Sequence, residues 1–119
     1  MVPSTSKRQE SAITLTGLSY TVDRTGTHPV AVLMGEIDLA SIDALEDAIT
    51  AIEQDAVGAE VVLDMTGVTF LDSSGLRVLV TAHDRLDTAG SRLVLRRPPS
   101  AVLRVLEITG LLSTITVEE

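Results

Sequence analysis

The stretch FLDSSGLRVLV, residues 70–80, decides how this chain is read. Asp72, Ser73, Ser74 and Gly75 separate two apolar runs. Behind them Leu76, Leu79, Val80, His83 and Leu86 fall at helical spacing. Ahead of them AEVVLDM (59–65) is a short continuous apolar run, the pattern of a strand covered on both faces. A strand, a brief surfacing and a helix are therefore expected in that order. Asp72 suits the helix N-cap, where a carboxylate accepts from the next backbone amides. Ser73 then takes about the first helical position, with its hydroxyl open to another protein.

Working outward, AITLTGL (12–18) and SYTVD (19–23) are rich in Thr, Ile and Val and read as strand. RTGTHP (24–29) is a turn, and VAVLMGEID (30–38) is a second strand, paired antiparallel to the first. The period then changes. Ile42, Leu45, Ala48, Ile49 and Ile52 form a helical stripe, with Ser41 at the expected N-cap. TGVTF (66–70) reads as a loop, SRLVLR (91–96) as a strand, and PPSAVLRVLEITG (98–110) as a helix opened by prolines. STITV (113–117) is a last edge strand. The order β-β-α-β-α-β-α-β predicts an α/β fold: a mixed, mostly parallel sheet with an N-terminal antiparallel hairpin, packed against α-helices. Residues 1–11 read as a disordered lead, and residues 12–119 as a single domain.

Composition excludes several function classes. The net charge of −8 argues against direct nucleic-acid binding, which needs a basic patch. The local cluster Arg92, Arg96 and Arg97 reads as a solvated strand edge. With no cysteine, and only His28 and His83 as imidazoles, no metal site and no cofactor is expected. Aromatics are 2% of the chain, too few for a base-stacking platform. No apolar run has membrane-spanning length, and MVPSTSKRQES lacks a signal-peptide core, so a cytoplasmic protein is expected.

The chemistry gathers at Ser73. A phosphate there sits at the positive end of a helix, so the fold would survive it. It would add about −1.5 to −2 charge beside Asp72. Glu36 and Asp38 leave a strand end of the same sheet, so any partner fitted to a bare hydroxyl would be disfavoured.

Three segments carry a resemblance: GEID (35–38), VVLDMTGVTFLDSSGLRVLV (61–80) and PPSAVLRVLEITGL (98–111). In this order and spacing they resemble the anti-sigma factor antagonists, whose fold is the STAS domain. The similarity runs from about Leu15 to Val117. It implies that Ser73, the first serine of D-S-S-G, is phosphorylated by an anti-sigma factor that is also an ATP-dependent serine kinase. It further implies that the unphosphorylated chain binds this kinase and frees a sigma factor, and that a PP2C-type phosphatase restores it. Asp38 matches a family aspartate on the partner-facing surface. Ser41 matches a position phosphorylated in some relatives, although an N-cap accounts for it. The expected partner surface comprises Glu36, Asp38, Asp72, Ser73, Ser74 and Gly75, with the 66–72 loop. The alternative is a phosphorylation-independent scaffold or a ligand- or nucleotide-sensing STAS module.

Rival readings lose on specific residues. Asp64 ends an apolar strand, as a receiver-domain phosphoacceptor does, but the first strand offers only Asp23, and Lys7 is the sole lysine. Asp64 is expected instead to bond loop amides below the Ser73 site. A serine hydrolase would need a G-x-S-x-G elbow, which is absent, and His83 lies on the apolar stripe of the serine's own helix, where a satisfied ring nitrogen is expected. No enzymatic role is expected. Ser74 reads as structural, and Gly75 as a point where another group comes close.

Overall fold

The computed structural model describes residues 17–56 and 58–119. Residues 1–11 and the first part of AITLTGL, residues 12–16, lie outside them. The elements run β1 (Leu18–Asp23), β2 (Val30–Ile37), α1 (Ile42–Glu53), β3 (Glu60–Leu71), α2 (Ser73–Thr88), β4 (Arg92–Arg96), α3 (Ser100–Ile108) and β5 (Thr116–Glu118). They form one sheet in the order β1-β2-β3-β4-β5. The β1–β2 pair is antiparallel and every other pair is parallel. This is the α/β architecture expected from the order of periods.

The apolar stripes meet on one side of the sheet. Leu45, Ala48, Ile49 and Ile52 of α1, Leu79, Ala82 and Leu86 of α2, and Val102 and Leu106 of α3 join Leu33, Leu63, Leu93 and Leu95 in one buried cluster. Strand alternation sends Val62 to the other face, where it pairs with Val94, followed by Asp64 beside Arg96. Val61, Val62 and Leu63 are all buried, but the helical cluster takes only Val61 and Leu63.

The segment TGVTF, expected as a loop, is instead strand: β3 runs unbroken to Leu71. The reason lies in its partner. β2 stays paired with β3 as far as Ile37–Leu71, and the mismatch in length is taken up by register shifts at Val32/Met34 and Gly35/Glu36. Such bulges absorb an extra residue without ending the ladder. Gly67 is a glycine because the strands close up there: a Cβ on it would lie 3.0 Å from the Leu33 carbonyl oxygen. Gly35 has φ +115°, and a Cβ there would strike the Gly17 carbonyl oxygen at 2.1 Å. A Thr-Gly pair that reads as a turn thus serves a bulge.

The strand extension sets the position of the site. Because Ile37 pairs with Leu71, the residues that follow, Asp38 and Asp72, leave the sheet side by side. The Asp72 amide donates to the Ile37 carbonyl at 3.1 Å, locking the two exits together.

Candidate functional site: the strand ends and the first turn of α2

Asp72 is extended (φ −109°, ψ −175°) and caps α2. One carboxylate oxygen, Oδ1, accepts from the amides of Ser74 at 2.9 Å and Gly75 at 3.2 Å. The Asp72 carbonyl accepts from the Leu76 amide at 3.0 Å. Such a cap is worth about 1 kcal/mol, and it uses up donors that a helix start normally leaves open.

Ser73 is the first residue of α2 and is exposed. Its hydroxyl makes no hydrogen bond among the described residues. Ser74, one residue on, is half-buried. Gly75 is buried: a Cβ there would lie 2.4 Å from Ile37 Cγ2 and 2.7 Å from Leu71 Cδ1. What comes close to Gly75 is therefore the end of the domain's own sheet. Glu36 is exposed and Asp38 half-buried, both at the end of β2.

Ser41 is fully buried. Its hydroxyl oxygen accepts from the Asp38 amide at 2.9 Å and its proton goes to the Glu36 carbonyl at 2.9 Å. The expected N-cap bond into α1 is absent. The serine instead pins the turn that carries Glu36 and Asp38, because a short 3-10 turn (Leu39–Ser41) precedes the helix and folds the hydroxyl back under it. The spacing in D-L-A-S was the available signal.

Two exposed apolar side chains accompany the polar cluster: Phe70, within the 66–72 segment expected on this surface, and Leu39, which was not expected there. Leu39 is 70% exposed and Phe70, which pairs with Glu36, is 48% exposed. A groove of about 410 Å³ runs between α1 and α2, lined by Leu39, Ile42, Ser74, Arg77 and Val78. Leu39 was visible in the sequence only as an apolar residue outside either period.

Asp64 does not lie below Ser73. Leu71 lies seven positions further along the strand, about 23 Å at ~3.3 Å per residue. Its carboxylate accepts from the Thr66 amide at 2.9 Å and the Thr66 hydroxyl at 2.6 Å, and from Arg97 at 3.4 Å. Burial pushes this carboxyl up, but Thr66, Arg97 and Arg96 together outweigh it and hold it below its usual range. Arg96 also pairs with Glu118 at 2.6 Å, so two of the three clustered arginines are in ion pairs. The satisfied ring expected for His83 is not found: Nδ1 is enclosed without a hydrogen-bond partner among the described residues. No group of three acidic, histidine or cysteine side chains suited to a metal occurs among the described residues. No helix there is long and apolar enough to cross a membrane.

Residues 19–119 match the STAS domain. The chain belongs to the STAS family. Proteins it is similar to include anti-sigma factor antagonists. The anti-sigma-B factor antagonist of Listeria monocytogenes is 32% identical over 96 residues, spanning 81% of this chain and 83% of the relative. The crystal structure of an anti-sigma factor antagonist from Mycobacterium paratuberculosis is 32% identical, with a TM-score of 0.69 over 85% of each chain. The Bacillus cell fate determinant SpoIIAA in its phosphorylated form shares the fold at 23% identity, with a TM-score of 0.61 over 85% of this chain and 92% of its own. This STAS domain is thus a member of a regulatory family, with the D-S-S-G element at the joined ends of β2 and β3.

Proposed function

We propose that this STAS domain is an anti-sigma factor antagonist whose unphosphorylated form binds an anti-sigma factor with serine kinase activity, and so releases a sigma factor. Phosphorylation of Ser73 ends that binding. In the step, the Ser73 oxygen takes the γ-phosphoryl group of ATP. A new O–P bond forms, the bond to the leaving ADP oxygen breaks, and the hydroxyl proton passes to a base on the kinase. A PP2C-type phosphatase returns the hydroxyl by hydrolysis.

The observation that carries this reading is Ser73 itself: exposed, without a hydrogen bond among the described residues, at the first turn of a helix capped by its neighbour. Family membership supports the partner class, and the phosphorylated SpoIIAA structure supports the kind of modification. The partner-facing surface in this reading is Glu36, Asp38, Asp72, Ser73 and Ser74. Leu39 and Phe70 are its apolar members, and buried Gly75 acts beneath it by letting α2 sit on the strand ends.

Calorimetric titration of the kinase partner with Ser73→Ala and Ser73→Asp tests the switch. Ser73→Ala is expected to bind like wild type. Ser73→Asp is expected to bind at least about tenfold more weakly while melting within a few degrees of wild type, as exposed substitutions do. Equal affinity of both variants would favour a phosphorylation-independent scaffold.

A further inference from the structure

Arg77 lies four residues after Ser73 on α2, so the two side chains share a helix face, with Cβ atoms about 5–6 Å apart. Arg77 is exposed. Arg24, Arg85, Arg96 and Arg97 are committed to Asp55, Glu53, Glu118 and Asp64, whereas Arg77 makes no ion pair among the described residues. Its side chain lines the groove between α1 and α2 with Leu39 and Ile42.

A phosphate on Ser73 would find little else to neutralise it. The Ser74 and Gly75 amides already donate to Asp72. The charged groups around it are otherwise acidic: Asp72 beside it, Glu36 and Asp38 at the end of β2, and Glu46 of α1 across the groove. We propose that Arg77 is the phosphate-holding residue of this domain, pairing with phosphoserine at position 73 across one turn of α2. The anion lies N-terminal to the cation, the favourable order for an i, i+4 pair. A guanidinium offers the forked donors that a phosphate accepts best. Arg77 also lines the groove, so its engagement by the phosphate would couple the charge at Ser73 to the apolar surface beside it. This rests on Ser73 being the phosphoacceptor.

The test installs phosphoserine at position 73 during translation, which needs no kinase. Failure to find a kinase therefore leaves this result intact. The phosphate is titrated by ³¹P NMR in the wild-type, Arg77→Gln and Arg77→Lys backgrounds at low salt. Pairing with a cation favours the dianion. The second ionisation should therefore occur at lower pH in the wild-type background than in Arg77→Gln, by on the order of half a pH unit. Arg77→Lys should recover part of the difference, and high salt should shrink it. Without phosphate, Arg77→Gln should melt like wild type. A shared midpoint in the wild-type and Arg77→Gln backgrounds overturns the proposal. So does an equal loss of stability with and without phosphate, which marks a merely structural arginine.

Discussion

At the scale of single residues, three aspartates, each followed two residues on by a serine or threonine, do two kinds of work. Asp72 is a helix cap at the site, with its oxygen spent on two amides. Asp23 and Asp64 each take the amide and hydroxyl of the threonine two residues on. Asp64 has a testable pH signature. Its carboxyl ionises below the ordinary value of 3.8, because Thr66 and the arginines outweigh burial. A depressed folded-state pKa means that the unfolded chain binds the proton more readily. The stability Asp64 contributes is therefore complete above about pH 4 and is lost as pH falls through the lowered value. Asp64→Asn should cost about 1 kcal/mol at about pH 7 by urea denaturation. The gap to wild type should close in strong acid. A gap that stays constant across that range would contradict the assigned contacts.

At the scale of elements, the two decisive periods were legible because they follow directly from side-chain burial. Of the stripe Leu76, Leu79, Val80, His83 and Leu86, Leu79 and Leu86 are buried and the rest half-buried, with Ala82 the buried position it left out, and the run Val61–Leu63 is buried throughout. The length of β3 was not legible. Thr66 and Gly67 have the composition of a turn, and what keeps this segment in the sheet is the pairing of Gly67 with Met34 and Val68 with Gly35, residues over thirty positions away. The error carried over to Asp64, which seemed near the site only while TGVTF was a loop. Gly75 was recognised as a close approach, but only the strand ends reveal what approaches. Gly75→Ala gains helix propensity of about 1 kcal/mol. It also drives a methyl to within 2.4 Å of Ile37 Cγ2, on a β-branched side chain with little freedom to turn away. Net destabilisation of about 1–2 kcal/mol in thermal or urea unfolding is expected, since overpacking a well-filled contact costs more than the propensity returns. A more stable Gly75→Ala protein would mean that α2 does not rest on the strand ends.

At the scale of the molecule, the fold holds Ser73, the proposed phosphoacceptor, apart from the core. The paired exits of β2 and β3 fix Asp38 and Asp72, Ser41 fixes the turn between β2 and α1, and Ser73 stands outside all of these bonds. Charge added at Ser73 therefore meets surface groups and leaves the buried cluster alone. The candidate site was partly legible: D-S-S-G and G-E-I-D marked its polar residues and the 66–72 segment held Phe70, while Leu39 and the groove beside Arg77 emerge only when α1 and α2 are packed together. The most direct measurement of the central claim is intact mass after incubation with the proposed serine kinase partner and ATP. Wild type should gain the mass of one phosphoryl group and Ser73→Ala should gain none. Phosphorylation of Ser73→Ala to the wild-type extent would contradict it.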